Sequence, residues 1–131
     1  MTKKNIWIID DDPIYQILIN KIIKKSEVFS AFSSFKNGKD AIDTLNDLLN
    51  SGGKFPDFIL LDINMPVMTG WEFMEAYGLM KSEIGKQITV YIVSSSIAVE
   101  DKNKSKTYPD ILGYLSKPVS INDLLLIASN D

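Results

Sequence analysis

The chain has 131 residues, 45% apolar and 24% charged, with 14 basic and 17 acidic side chains and a net charge of −3. That length fits a single domain, read as 1–131 with no output domain beside it, and large enough to bury roughly two thirds of its unfolded surface. The absence of Cys and His excludes disulfides, thiol chemistry, a Ser-His-Asp triad, a His-ligated zinc and a phosphohistidine donor, and the mild acidity speaks against nonspecific binding to nucleic acid.

In chain order, Ile6 to Ile9 is an apolar run that ends abruptly in Asp10, Asp11 and Asp12. Ile14, Ile17, Leu18 and Ile22 then recur at helical spacing, and Asp12 before Pro13 reads as the N-cap of that helix. Val28 to Phe35 interleaves Ser with apolar residues, as a half-buried edge strand does. Ala41, Leu45, Leu48 and Leu49 mark a second helix, started by Asn37 and stopped by Gly52-Gly53. Phe58 to Leu61 is a short buried strand ending at Asp62. A third helical stripe follows at Phe73, Met74, Tyr77 and Met80, opened by Thr69 with Glu72 three residues on. Ile88 to Val93 is a strand ending in Ser94-Ser95-Ser96, and Ile111 to Leu115 another, ending at Ser116-Lys117-Pro118. Ser120 with Asp123 opens the last helix, whose apolar residues are Ile121, Leu124, Leu125 and Ala128. Between these last two strands, Glu100 to Thr107 carries no apolar residue, so a helix there is expected to be short and mobile. No apolar run approaches the roughly 18 residues of a membrane span. The N-terminus has no signal-peptide pattern, so the expected location is the cytoplasm.

Strands alternating with helices imply an α/β domain with a parallel sheet. In such an open, doubly wound sheet the carboxyl ends of all strands share one edge, and ligands bind where the strand order reverses. With a flavodoxin-like order of 2-1-3-4-5 and helices on both faces, that crevice gathers Asp10, Asp11 and Asp62, flanked by Ser94 and Lys117. Three carboxylates at close range repel one another unless neutralised. A hard divalent cation does this well, and an all-oxygen donor set suits Mg²⁺ or Mn²⁺. Aspartate is also a competent covalent phosphoryl acceptor.

The runs Ile8-Ile9-Asp10-Asp11-Asp12-Pro13, Phe58 through Asp62 to Gly70, Ile92-Val93-Ser94 and Gly113-Tyr114-Leu115-Ser116-Lys117-Pro118 are spread over essentially the whole chain. Together they resemble the receiver domain of two-component response regulators. The resemblance implies a phosphorylation-dependent signalling switch, not an enzyme with a substrate of its own. Asp62 would accept a phosphoryl group from a phosphohistidine on a sensor kinase or histidine phosphotransferase. Asp10, Asp11, Asp62 and the Asn64 backbone carbonyl would hold Mg²⁺. Ser94 and Lys117 would contact the phosphoryl group, the Lys117–Pro118 bond would be cis, and Tyr114 would be the aromatic switch that moves with Ser94. Asn64 and Ser96 stand where the family tunes phosphate lifetime. The readout face would be the fourth helix, fifth strand and fifth helix, facing a protein target that the sequence does not name. The donor would dock at the first helix, near Ile14 and Tyr15. Neither nucleic acid nor a membrane is an expected direct partner.

Blander and competing readings remain open at this point. Each polar strand end could be an ordinary turn residue, Tyr114 could be a packing residue, and Trp7 and Trp71 are read as packing residues. Asp10-x-Asp12 after an apolar strand is also similar to haloacid-dehalogenase-like phosphatases, with Asp10 as nucleophile, although Pro13-Ile14 stands where a Thr is expected. A flavodoxin-like cofactor binder would need a phosphate-cradling loop in place of three aspartates. A degenerate receiver acting only through protein contacts is the fourth alternative.

Overall fold

The computed structural model describes residues 3–95 and 98–129. It contains β1 (Lys4–Ile9), α1 (Pro13–Ser26), β2 (Phe29–Phe35), α2 (Gly38–Ser51), β3 (Phe58–Leu61), α3 (Gly70–Ile84), β4 (Thr89–Ser94), α4 (Val99–Ser105), β5 (Ile111–Ser116) and α5 (Ile121–Ser129). All strand pairs are parallel, in the order β2-β1-β3-β4-β5. This is the expected doubly wound sheet, with β2 and β5 on its edges.

The three inner strands, β1, β3 and β4, are buried on both faces, and their side chains alternate between two cores. Ile9, Ile59 and Leu61 meet Ala41 and Leu45 of α2 and Phe73 and Tyr77 of α3. On the other face Ile6, Ile8, Phe58 and Leu60 meet Tyr15, Ile19 and Ile23 of α1 and Leu124 and Ile127 of α5. Each such buried aliphatic or aromatic side chain contributes about 1.5–3 kcal/mol.

The local signals that delimit the helices act as anticipated. Asp12 accepts the N–H groups of Ile14 and Tyr15, and Asn37 that of Asp40. Thr69 with Glu72, and Ser120 with Asp123, form reciprocal capping boxes. Gly52 ends α2 in the left-handed conformation, and Gly85, which was not singled out in the sequence, ends α3 the same way.

One expectation needs correction. Of the α1 stripe, Ile14, Ile17 and Leu18 are exposed, and the buried face is Tyr15, Ile19 and Ile23. Apolar side chains surround this helix, so their spacing does not determine which side packs. The segment after β4 forms the expected short helix, α4, and its attachment is not apolar burial. Trp71 of α3 donates Nε1–H to Asp101 at 3.3 Å and stacks on Tyr108 at 5.8 Å. Lys104 lies 5.4 Å from the Trp71 ring, Lys102 lies 4.9 Å from the Tyr114 ring, and the Tyr108 hydroxyl donates to Glu75 at 2.6 Å. Among the described residues no helix is long and apolar enough to cross a membrane.

Candidate functional site

The site is built where the ladder of the central strands runs out. The register pairs Ile9 with Leu61 and Leu61 with Ile92. One residue further, Asp62 N–H donates to the Ile9 carbonyl and Asp10 N–H to the Phe35 carbonyl, each at 3.0 Å. Backbone pairing thus holds Asp10 and Asp62 side by side at the sheet edge. Gln16 of α1 adds to this, donating Nε2–H to the Asp10 and Phe35 carbonyls at 2.9 and 3.1 Å. Gly70 brings the start of α3 against the same strand end: a Cβ there would lie 2.7 Å from the Asp62 carbonyl oxygen.

Asp10, Asp11 and Asp62 each place a carboxylate oxygen within 4.8 Å of the others. Asp10 and Asp62 are buried, at 2% and 7% exposure, whereas Asp11 faces solvent. Burial first, then the neighbouring Asp10 carboxylate, pushes the Asp62 carboxyl up to about 6, and the Lys117 ammonium only partly offsets this. Lys117 directly precedes Pro118, and the peptide bond between them is cis. Its Nζ lies 2.7 Å from Asp10 Oδ2 and 4.0 Å from Asp62 Oδ2.

Ser94 ends β4, half-buried, and its carbonyl accepts the Lys117 N–H at 3.0 Å. Asn64 follows Asp62 in the next loop and donates its N–H to Asp62 Oδ1 at 3.4 Å. Tyr114 lies outside the cluster on β5, 44% exposed and facing Lys102 of α4. Ser96 lies outside the described residues. Ile14 is exposed beside the site, but Tyr15, expected with it on the docking surface, is buried at 7% with its ring against Lys117. That contact joins residues far apart in the chain. Its only sequence signal is an aromatic residue four positions after Asp11.

The donor set is hard and all-oxygen, from a chain that has no His or Cys to offer. It fits Mg²⁺ or Mn²⁺ and would suit zinc poorly. Both Asp10 oxygens are engaged, Oδ1 by the Asp12 N–H at 2.9 Å and Oδ2 by Lys117. Asp10 is therefore poorly placed as a nucleophile, and nothing supports the phosphatase alternative.

The response regulator receiver domain model matches residues 6–129. The chain belongs to that family. A two-component response regulator from Cytophaga hutchinsonii has the same fold in its crystal structure, with a TM-score of 0.87 and 30% identity, covering 99% of this chain and 100% of that one. The receiver is 25% identical over 119 residues to a probable methanogenesis regulatory protein of Methanothrix harundinacea (strain 6Ac), covering 91% of this chain and 75% of that protein. It is 29% identical over 120 residues to the nitrate/nitrite response regulator protein NarL of Escherichia coli (strain K12), covering 92% of this chain and 50% of that protein. The chain thus spans three quarters of the first curated relative and half of the second. Membership makes it a signalling domain of two-component systems, whose general partner is a histidine kinase.

Proposed function

We propose that Asp62 is the phosphoacceptor of this receiver and that Ser94 and Lys117 act on the transferred group. The observation that carries this is the Asp62 carboxylate itself, buried at 7% exposure among Asp10, Asp11 and Lys117, with the ammonium 4.0 Å away. An Asp62 oxygen attacks the phosphorus of a phosphohistidine on the partner, a sensor kinase or a histidine phosphotransferase. The P–N bond breaks, and its electron pair leaves with the imidazole. Lys117 then stabilises the negative charge on the phosphoryl oxygens, and the Ser94 hydroxyl donates to one of them. Asp10, Asp11, Asp62 and the Asn64 carbonyl would hold the divalent cation. When bound, that ion supplies charge neutralisation at the transferred oxygens.

The contacts of Ser94 and Lys117 with phosphate exist in one state only, so they can shift a two-state equilibrium. Tyr114, on β5 beside α4, is the switch residue in this reading. The α4–β5–α5 face then meets a protein target in the cytoplasm. The domain assists its own phosphorylation and slow hydrolysis and turns over no other substrate.

The test is phosphate uptake. With Mg²⁺ and acetyl phosphate the wild type gains one phosphate by intact mass, and Asp62→Asn gains none. Equal labelling of the variant would place the acceptor elsewhere.

A further inference from the structure

Lys117 is the sole cation within ion-pair distance of the cluster among the described residues, and its position is therefore critical to the chemistry. Lysine is a flexible four-carbon stem carrying a point charge. Asp10 holds that charge at 2.7 Å, away from Asp62 at 4.0 Å. A third group also constrains it. The Tyr15 ring centroid is 4.5 Å from Lys117 Nζ, well inside the range of cation–π attraction.

Tyr15 is fixed independently of Lys117. It lies in the first turn of α1, capped by Asp12, whose Oδ1 accepts the Tyr15 N–H at 3.2 Å. Its side chain belongs to the buried cluster of Ile19, Val119 and Leu124. Its hydroxyl is buried with no hydrogen-bond partner, so packing rather than a polar tether sets the ring. Burial, and then Asp10, Asp62 and Asp123, drive the phenol well above its ordinary pKa, which keeps the ring neutral. The Lys117 side chain is only 19% exposed, and an attraction to a ring face strengthens as water is excluded.

We infer that Tyr15 is a positioning residue for phosphoryl transfer: its ring face holds the Lys117 ammonium beside the carboxylate cluster, ready for the incoming phosphoryl oxygens. The inference rests on Asp62 being the acceptor.

The experiment is a double-mutant cycle. Tyr15→Phe and Tyr15→Leu are made with Lys117 present and with Lys117→Met, and the initial rate of phosphate uptake from acetyl phosphate with Mg²⁺ is read by intact mass. Tyr15→Leu is expected to slow uptake about tenfold and Tyr15→Phe less than about twofold. With Lys117→Met in place, Tyr15→Leu is expected to slow uptake no further. An equal loss in both backgrounds, or no loss in Tyr15→Leu, overturns the inference. Tyr15→Met serves if the Leu variant does not fold.

A second measurement needs no phosphate. In lysine-labelled protein the Lys117 ε-methylene protons are expected upfield of the other lysines through the ring current, in the wild type and Tyr15→Phe but not in Tyr15→Leu. An ordinary shift in the wild type overturns the inference even if Lys117→Met takes up no phosphate. A wild type that takes up none while showing the upfield shift instead sinks the reading of Asp62 as acceptor.

Discussion

Asp57 accepts the Asn5 N–H at 2.8 Å and pairs with Lys86 at 2.8 Å. Burial pushes its carboxyl up, but the Lys86 and Asn5 contacts outweigh it, and its pKa falls below 3.8. The contribution of Asp57 to stability is therefore present above the unfolded value and lost as pH falls through the folded one. Asp57→Asn is expected to lower Tm at pH 7, with the gap closing in thermal scans as pH falls below 3.8. Asp62 has the opposite sign. Its carboxyl rises from 3.8 to about 6, so the folded state binds the proton more tightly and loses stability as pH rises through that window. In metal-free buffer at pH 7, Asp62→Asn is expected to raise Tm by about 3–6 °C, a gain that shrinks near pH 4. A lower Tm would mean that Lys117 already compensates the charge. Asp10, Asp11, Asp62 and Lys117 were legible in the sequence because each stands within two residues of the last apolar residue of a strand, and strand ends converge in a parallel sheet. The ring of Tyr15 was not, because its contact with Lys117 depends on how α1 is rotated.

At the scale of elements, that rotation is the main feature the sequence left undetermined. Ile14, Tyr15, Ile17, Leu18, Ile19, Ile22 and Ile23 cover most of the circumference of α1. Only docking on Ile6, Ile8 and Leu60 selects Tyr15, Ile19 and Ile23 as the inner face. Caps and strand order, by contrast, depend on local residue chemistry and were readable. The join between β3 and α3 has little freedom. A Cβ on Gly70 would lie 2.7 Å from the Asp62 carbonyl oxygen and 2.9 Å from the Ile63 Cα, both of them backbone atoms that cannot swing aside. Gly70→Ala is expected to cost about 1–3 kcal/mol in urea denaturation, and to slow phosphate uptake by displacing Asp62. Unchanged stability would show that this loop yields more easily than its contacts imply. In α4 the polarity was legible, whereas its partners left no local signal, since Trp71, Tyr108 and Tyr114 lie outside the segment that they hold.

For the molecule as a whole, three carboxylates drawn to one edge are expected to make the stability of the fold respond to cations. A ligand that binds only the folded state stabilises it by about 2.7 kcal/mol at a hundred times its dissociation constant. Titration with Mg²⁺ is expected to raise Tm, chelation to restore it, and Asp11→Asn to abolish the response. A Tm indifferent to Mg²⁺ would count against the cluster as a metal site. The two tryptophans add an experimental opportunity. Trp7 is 6% exposed against Phe35, while Trp71 is half-buried and touches Asp101, Lys104 and Tyr108. One indole thus sits in a dry interior and the other in a seam between α3 and α4, so a shift of α4 would change the surroundings of the second alone. Replacing Trp7 with Phe would leave Trp71 as the single tryptophan of the chain, whose selectively excited emission would report on that seam in real time without any attached dye.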